Sequence, residues 1–385
     1  MELDEILKVG AQKGASDVHL KVGLPPIFRI DSVLYPVKNL PRFTAESLSD
    51  MIFSIMTESQ KKNFRNAHEI DLSYGVKGLG RFRVNVFQQR GTLGAVLRII
   101  PMNVKSPEEL HLPKVIERLA EQRRGLILVT GTTGSGKSTT LASMIDYINS
   151  SRTAHIITIE DPVEFLHRDK KSVITQREVG FDTLDFSGAL RSSLRQDPDV
   201  ILVGEMRDVE TIEIAITAAE TGHLVLSTLH TLDAKETINR IVSVFPPHTQ
   251  HQVRLALSGV LKGVISQRLV VRADGKGRVP AVEVLVSTSR IRECIAEEEK
   301  LKEIPDAIAA GHTMYGMQTF DQSLMGLLKK NFITYDDAMK NATNPDDFAL
   351  KMQGVSSSSD SQWSDFEKEK EKKPEKGDDI DIERF

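Results

Sequence analysis

The chain contains 385 residues, of which 40% are hydrophobic and 27% are charged, and its formal net charge is -4. The length accommodates two domains, and the composition excludes a chain that is disordered throughout. The single cysteine, Cys294, excludes an intramolecular disulfide framework and a cysteine-cluster zinc site, and it predicts a reducing, cytoplasmic environment.

The charged residues are unevenly distributed along the chain. The segment 354–385 contains ten acidic and six basic residues, so the remainder is neutral overall and gives no support to a nucleic-acid partner. No secretory signal is recognisable at the amino terminus, and no apolar stretch reaches about 18 residues. We therefore expect no direct insertion into a membrane.

The first part of the chain, residues 1–101, predicts a small α+β domain. The runs "ASDVHLKV" and "IFRIDSVLYPV" are strand-like, and a helical pattern follows at roughly 44–66. The stretch "IDLSYGVKGLGRFRVNVFQQRGTLGAVLRII" then predicts three strands in an antiparallel meander, because its glycine-containing connections are short. Residues 102–113 are rich in proline and lack periodicity, which is typical of a linker.

The second part of the chain, residues 114–353, predicts an α/β domain. The apolar runs "GLILVTG", "HIITIED", "DVILVGE", "HLVLSTLH" and "VPAVEVLV" are separated by stretches long enough for crossover helices. Their continuous hydrophobicity indicates strands that are covered on both faces of a mostly parallel sheet. The serine-rich and charge-dense tail, 354–385, is predicted to be disordered.

A phosphate-binding loop follows the first of these strands. The sequence "GTTGSGKS" matches the pattern G-x-x-x-x-G-K-[ST] between a strand and a helical run, which is the context that this pattern requires. Lys137 is predicted to reach the β and γ phosphates of a nucleotide, and Ser138 to offer its hydroxyl to Mg²⁺. The predicted nucleotide-binding residues are Gly131, Thr132, Thr133, Gly134, Ser135, Gly136, Lys137, Ser138 and Thr139.

Carboxylates follow two further strands. Glu205 ends "DVILVGE", while Glu160, Asp161 and Glu164 follow "HIITI". Ligands of open parallel sheets bind at the carboxyl ends of the strands, so we expect these acids near the nucleotide, where one orients the attacking water and Glu205 holds Mg²⁺.

Two histidines flank the strand "HLVLSTL". An imidazole beside an apolar run is more often a structural residue that a backbone carbonyl satisfies. His230 stands at the carboxyl end, so it is predicted to hydrogen-bond the γ-phosphate and to report its loss. His223 stands at the far end and would have to act through a neighbouring loop.

Four segments in this order resemble the motifs of type II/IV secretion ATPases. "TGTTGSGKSTTLA", "HIITIEDPVEF", "LRQDPDVILVGEMRDVET" and "TAAETGHLVLSTLHT" are similar to the Walker A motif, the Asp box, the Walker B motif and the His box. "GASDVHL", "RFRVNVF" and "GMQTFDQSL" further resemble the type IV pilus retraction ATPases within this superfamily. The resemblance covers about residues 1–345.

The resemblance implies a RecA-like P-loop NTPase domain with an N-terminal PAS-like α+β domain, assembled as a hexameric ring. It implies ATP and Mg²⁺ as ligands, and a motor that powers pilus retraction through the inner-membrane platform protein. Such a motor would work in the cytoplasm at the inner-membrane face of the pilus machine, with a paralogous retraction ATPase as a further partner.

The resemblance also implies roles for individual residues. Glu205 would be the Walker B acid, and Glu164 the water-activating carboxylate with Glu160 behind it. His223 and His230 would couple the phosphate state to movement. The candidate arginines are Arg81, Arg83 and Arg98 for a clamp from the first domain, and Arg195 and Arg207 for action beside the Walker B strand or across a subunit boundary.

The sequence departs from the retraction ATPases in two places, at one helix and in its acidic, serine-rich tail, which is expected to be either a solvated terminus or an interaction segment. The retraction motif "AIRNLI" of the helix corresponds here to "RIRECI", Arg290 to Ile295. This difference suggests an accessory retraction ATPase as the alternative to the main retraction motor. An extension or secretion ATPase would carry a further amino-terminal domain and a tetracysteine zinc site. A nucleic-acid translocase would carry a basic stripe with aromatic side chains on which bases stack. A non-catalytic scaffold would lack part of the set of lysine, hydroxyl and carboxylate groups.

Overall fold

A computed structural model of the protein describes residues 2–30, 33–38, 40–101 and 103–352. The predicted tail and one residue of the predicted linker lie outside this part. The described residues form two compact units: unit 1 comprises 2–105 and 149–189, and unit 2 comprises 106–148 and 190–352. The domain boundaries predicted from the sequence stay a prediction.

The strands, in chain order, are β1 (Asp17–Lys21), β2 (Ile27–Ile30), β3 (Val33–Pro36), β4 (Glu69–Val76), β5 (Gly80–Gln89), β6 (Thr92–Ile99), β7 (Gly125–Thr130), β8 (His155–Glu160), β9 (Val173–Glu178), β10 (Val200–Val203), β11 (Leu224–Leu229), β12 (Leu261–Val271) and β13 (Arg278–Val286).

The α-helices are α1 (Leu3–Gln12), α2 (Ala45–Ser54), α3 (Glu58–Ala67), α4 (Val115–Ala120), α5 (Lys137–Ser151), α6 (Phe186–Ser193), α7 (Val209–Glu220), α8 (Ala234–Ser243), α9 (Pro247–Val260), α10 (Ser289–Ala296), α11 (Ile304–Ala310), α12 (His312–Tyr315), α13 (Phe320–Lys329), α14 (Tyr335–Asn341) and α15 (Pro345–Met352), with a 3-10 helix at Glu298–Glu303.

Unit 1 contains a six-stranded antiparallel sheet in the order β3-β2-β1-β6-β5-β4. The predicted meander of β4, β5 and β6 is confirmed. Its second turn is built by Arg90 and Gly91, both of which have positive φ, as a two-residue type I′ hairpin requires. Unit 1 also contains the parallel pair β8 and β9.

The helical segment expected at 44–66 is two helices. Thr44 caps α2, and Thr57 caps α3 by accepting the backbone N–H of Gln60 while the Gln60 side chain returns to the Thr57 N–H. This capping box begins a new helix three residues after α2 ends. A further helix, α1, packs against the same sheet through an apolar stripe that includes Ile6 and Leu7.

Unit 2 contains strands in the order β13-β12-β7-β11-β10. Strands β12, β7, β11 and β10 run parallel, and β13 is antiparallel to β12. All six residues of β7 and of β11 are buried, as continuous apolar runs predict. The predicted mostly parallel α/β arrangement is confirmed, and β12 is an additional strand that the apolar runs did not reveal.

Among the described residues, no helix combines the length and the apolar character needed to span a bilayer.

Candidate functional site

The loop between β7 and α5 has the backbone that phosphate binding requires. Gly131, Gly134 and Gly136 have φ values of +137°, +78° and +92°. A Cβ at Gly131 would lie 2.4 Å from the carbonyl oxygen of Gln267, and a Cβ at Gly136 would lie 2.8 Å from the Gln267 Nε2. Only glycine fits these two positions, and α5 begins directly afterwards with its N-terminus at the loop.

Lys137 is buried at 8% exposure in the first turn of α5. Its ammonium donates to the carbonyl oxygens of Gly131, at 2.9 Å, and Thr132, at 3.1 Å. The cation is thereby fixed over the loop whose amides would face a phosphate.

His230 lies between this ammonium and Glu205, the predicted Walker B acid. Its Nδ1 lies 3.5 Å from Lys137 Nζ, and its Nε2 lies 3.2 Å from Glu205 Oε1. An ammonium can only donate, so this geometry assigns Nδ1 as the acceptor and Nε2–H as the donor to Glu205. The partners Lys137 and Glu205 therefore fix the tautomer of His230. Its imidazole connects the phosphate loop to the carboxylate after β10.

Glu205 is partly buried where the chain leaves β10. Burial opposes its ionisation, but the hydrogen bond and charge of Arg207 and the hydrogen bond from His230 together outweigh burial, so the pKa of Glu205 lies below its usual range. The Arg207 Nη2 lies 2.8 Å from Glu205 Oε2, although the Arg207 side chain is mostly exposed. Glu205 is therefore an ionised carboxylate at neutral pH.

The oxygen donors near this point suit Mg²⁺. Magnesium is usually held by one or two protein oxygens together with phosphate oxygens and water. The hydroxyl of Ser138 and the ionised carboxylate of Glu205 are such donors. In the part of the chain that the structure describes, no three His, Cys, Asp or Glu side chains form a group that could hold a metal ion by themselves. One hydroxyl and one carboxylate are the kind of donors that hold a magnesium ion together with nucleotide phosphates.

Two cavities lie in unit 2, one at the phosphate loop and one at Glu205 and His230. One, of about 310 Å³, lies along the phosphate loop from Gly131 to Ser135 and is closed by Gln267 and Arg278. The other, of about 470 Å³, includes Glu205, Arg207 and His230. The predicted residues Lys137, His230, Glu205 and Arg207 are therefore brought together.

The Asp-box acids belong to unit 1. Burial raises the pKa of Glu160, although its carboxylate accepts hydrogen bonds from Thr158 Oγ1 (2.6 Å), Gln176 Nε2 (3.3 Å) and the backbone N–H of Glu164 (3.4 Å). The side chain of Glu164 is exposed. Glu160 is thus held in place, whereas Glu164 projects into solvent, and their approach to the nucleotide stays a prediction.

The arginines predicted to form a clamp, Arg81, Arg83 and Arg98, lie on one face of the six-stranded sheet. Arg83 and Arg98 are direct partners on β5 and β6, and Arg98 pairs in turn with Asp17, whose carboxylate accepts from Arg98 Nε at 2.9 Å. Arg83 lies 3.9 Å from Asp71 and is half-exposed. Arg81 is mostly buried, because Glu178 and the ring of Phe181 contact its guanidinium. Arg83 and Arg98 therefore present exposed cations, whereas Arg81 is engaged within unit 1.

The remaining two predicted residues lie away from Lys137. The exposed Arg195 donates to the carbonyl oxygen of Arg191, one turn earlier. His223 lies at the start of β11, at the opposite edge of the sheet from His230, and its Nδ1 lies 2.9 Å from the carbonyl oxygen of Ala218. In this chain the roles of Arg195 and His223 stay predictions.

Residues of β12 complete the loop environment and were missed in the sequence. The buried Gln267 accepts from Thr140 Oγ1 at 2.8 Å, and Ser266 accepts from Thr130 Oγ1 at 3.0 Å. These bonds attach the strand before the loop and the helix after it to the same neighbouring strand. The sequence "ISQRLVV" offered one signal, since it places consecutive polar residues inside an otherwise apolar run.

Comparison with known proteins identifies the family. A family profile described as "Type II/IV secretion system protein" matches residues 2–327. The chain is 49% identical over 348 residues to the type IV pilus retraction ATPase PilT of Pseudomonas aeruginosa, an alignment that spans 90% of this chain and all of that protein. It is 42% identical to the type IV pilus ATPase PilU of the same organism over 350 residues, which span 91% of each chain.

A solved structure is also similar. The crystal structure of the pilus retraction motor PilT with bound ADP matches with a TM-score of 0.83 at 48% identity, and the match covers 90% of this chain and 98% of that one. The similarity therefore extends over both sheets.

Proposed function

Because the chain belongs to the type II/IV secretion system protein family, we propose that it is an ATPase motor that powers the retraction of type IV pili. The observation that carries this proposal is the connection from Lys137 through His230 to Glu205. It joins the phosphate-binding lysine to the Walker B acid through one imidazole. The names of the similar proteins, a pilus retraction ATPase and a pilus retraction motor, support the assignment to retraction.

Binding of ATP begins at the phosphate loop. The loop amides and the N-terminus of α5 receive the phosphates, and Lys137 exchanges its two carbonyl partners for phosphate oxygens. Ser138 and Glu205 would hold Mg²⁺, which neutralises phosphate charge and orients the terminal phosphoryl group when bound. The predicted residues Thr132, Thr133, Ser135 and Thr139 complete the loop.

Hydrolysis requires a carboxylate that orients the attacking water. We assign this role to Glu164, which is exposed, with Glu160 behind it and hydrogen-bonded to the Glu164 backbone. Arg83 and Arg98 supply cations for the phosphate charge, and Arg81, Arg195 and Arg207 are further candidates.

His230 couples the phosphate state to the protein. Its Nδ1 competes with phosphate oxygens for the Lys137 ammonium, and its Nε2–H is shared with Glu205. Loss of the γ-phosphate therefore changes the hydrogen bonds of His230, which follows β11 directly. His223 at the other end of β11 is the predicted receiver of this change.

The motor is proposed to act as a homohexameric ring at the cytoplasmic face of the inner membrane, where it contacts the pilus platform protein. Its nucleotide is ATP, and its work is the disassembly of pilin. This assembly follows from the resemblance of the sequence to retraction ATPases, and the full-length match to PilT supports it.

The alternative is an accessory role beside a second retraction ATPase. The sequence of α10 favours this alternative. This helix carries "RIRECI", in which Arg290 and Glu293 are exposed while Ile291, Cys294 and Ile295 are buried. Compared with "AIRNLI", two changed side chains therefore alter a surface. The 42% identity to PilU is consistent with this alternative.

Two measurements test the proposal. ATP turnover of the purified protein should fall about 100-fold or more in Glu205→Gln and in Glu164→Gln, while Glu58→Gln, which removes an exposed carboxylate on α3, should leave it unchanged. The native mass should be that of a hexamer, with and without nucleotide. A catalytically active monomer, or unchanged turnover in both site variants, would contradict the motor.

Complementation separates the main motor from the accessory one. The gene should restore retraction in a strain that lacks only its main retraction ATPase. Failure in that strain, combined with rescue of a strain lacking the accessory protein, would favour the alternative.

A further inference from the structure

The carboxylate of Glu178 lies at a junction inside unit 1. Glu178 is the last residue of β9, is only 7% exposed, and is the register partner of Glu160 in the parallel pair. Glu178 belongs neither to the P-loop nor to the predicted acids of the Asp box. Nevertheless its two oxygens contact three separate segments of the unit.

The first two contacts come from the six-stranded sheet. Ser73 on β4 donates its hydroxyl to Glu178 Oε1 at 2.7 Å. Arg81 on β5 approaches Glu178 Oε2 with its Nη2 at 3.5 Å, while the Phe181 ring lies 5.5 Å from the Arg81 guanidinium carbon. The carboxylate is therefore attached to two adjacent strands.

The third contact is with the Asp box itself. The buried backbone N–H of Val163 donates to Glu178 Oε2 at 3.3 Å. Val163 directly precedes Glu164, whose own N–H donates to Glu160 at 3.4 Å. Two successive amides of this turn are thus held by two side-chain carboxylates.

This arrangement has a consequence for the Glu164 side chain. A carboxylate that orients water must be placed to within a fraction of an ångström, and displacement of about 1 Å can cost about 100-fold in rate. The Glu164 side chain is exposed, so its direction depends on the backbone that carries it. That backbone has two side-chain anchors, and Glu178 is the one that also contacts the sheet bearing Arg83 and Arg98.

We propose that Glu178 is a positioning residue, which fixes the Val163–Glu164 backbone of the Asp box relative to the arginine-bearing strand β5. The inference rests on the proposed function, since it assigns Glu164 to the water. In this role Glu178 touches neither the nucleotide nor the water. Its contribution should therefore appear in kcat rather than in nucleotide affinity.

The first test measures steady-state ATP turnover in the full-length protein carrying Glu178→Gln. Glutamine keeps the size and one acceptor oxygen, but it loses the charge toward Arg81 and the second acceptor. We expect kcat to fall about 10-fold while KM changes less than about 2-fold. Glu58→Gln, which removes an exposed carboxylate of the same unit, is the matched control and should match the wild type.

The second test measures backbone hydrogen exchange at residues 162–166 in the same proteins without nucleotide. The Val163 amide should exchange faster in Glu178→Gln than in the wild type and in Glu58→Gln. This readout does not depend on activity. If the wild type does not hydrolyse ATP, the proposed function fails, and exchange alone still reports whether Glu178 holds the Asp box.

The combined results decide the inference. A lower kcat together with faster exchange at Val163 supports it. An unchanged kcat in an active enzyme, or a lower kcat with unchanged exchange, overturns it. If Glu178→Gln fails to fold, Glu178→Asp replaces it: the charge is kept, but the shorter side chain cannot contact Arg81 and Val163 together, so the same pair of changes is expected.

Discussion

The Nε2 of His230 lies 3.2 Å from the Oε1 of Glu205, and the other ring nitrogen lies 3.5 Å from the ammonium of Lys137. One imidazole thus contacts the cation that we propose binds phosphate and the anion that we propose holds Mg²⁺. The two contacts require opposite roles of the two nitrogens, so either a protonated imidazolium or the Nδ1–H tautomer would break the contact with Lys137.

Replacement of His230 by alanine should uncouple these two motifs. We expect His230→Ala to lower kcat for ATP about 10- to 100-fold, because Lys137 and Glu205 lose their common partner, while ADP binding changes little. His248→Ala provides the control, since it removes an exposed imidazole on α9 to which no role is assigned. Equal losses in both variants would show that the effect does not belong to the contacts of His230 with Lys137 and Glu205.

The free energy of unfolding should depend on pH because the pKa of the Glu283 carboxyl is raised in the folded protein. Burial is the main cause that raises the pKa of this β13 carboxyl to about 7, and the neighbouring Asp233 and Asp321 act in the same direction, while the Ala234 N–H and Arg268 oppose it. Between pH 4.5 and 7 the unfolded state loses this proton and the folded state keeps it. Stability from Glu283 is therefore present at low pH and is lost as the pH rises through about 7.

Glu283→Gln removes this titration. Relative to the wild type, the glutamine variant should gain up to about 3 kcal/mol in the free energy of unfolding between about pH 5 and pH 8. Urea denaturation at several pH values measures the difference. Glu58→Gln serves as the control, and a difference between wild type and Glu283→Gln that does not change with pH would contradict the burial of an uncharged carboxyl.

Gly136 should not tolerate a methyl group. Its φ of +92° strains any L-residue by about 1–2 kcal/mol, and a Cβ would lie 2.8 Å from the buried Gln267 amide. We expect Gly136→Ala to weaken ADP binding at least about 10-fold, as measured by calorimetric titration.

Gly326→Ala is the matched control for this substitution. Gly326 lies within α13, and a Cβ there would meet no atom within 4 Å. This variant should bind ADP normally and gain about 0.5–1 kcal/mol in stability, since alanine is the better helix former. Equally weak ADP binding by Gly326→Ala would mean that the loss in Gly136→Ala is not specific to the loop.

Arg268 should contribute to stability through its planar side chain. Its guanidinium carbon lies 3.9 Å from the Phe320 ring centroid, and its Nη1 donates to the Asn341 carbonyl oxygen at 2.7 Å. Arg268→Lys keeps the charge but loses the stack, so we expect a loss of about 1–2 kcal/mol in thermal or urea unfolding. Arg272→Lys, at 5.6 Å from the Phe332 ring, should lose less.

Local patterns in the sequence predicted those parts of the fold whose causes are local. The strand β7 and the loop after it could be recognised because an apolar run and a glycine pattern adjoin one another. The break between α2 and α3 was also encoded locally, as the capping pattern from Thr57 to Gln60, but the apolar periodicity around it concealed the break. The split into two helices was therefore available in principle.

Other features depend on residues that are distant in the chain. Strand β12 contains Ser266 and Gln267 in its buried interior, and their partners Thr130 and Thr140 lie more than a hundred residues earlier. Ser73 and Glu178 are likewise separated by 105 residues. No spacing rule connects such positions, since the hydrogen bonds exist only once the strands have assembled. The position of His230 at the phosphate edge was expected only from the rule that ligands bind at the carboxyl ends of strands, and its contact with Lys137 was not predicted.

The pairing of β7 with β11 fixes the distance between the two histidines. Six consecutive register pairs join the strands, and the Gly125 N–H extends the ladder by donating to the His223 carbonyl oxygen at 2.9 Å. Residues 223 and 230 are separated by seven residues of extended chain, about 23 Å at about 3.3 Å per residue. Because a paired strand cannot stretch without breaking its hydrogen bonds to the neighbouring strand, the length of β11 is fixed. Any displacement of its His230 end along the strand would therefore have to involve the paired strands β7 and β10 as well.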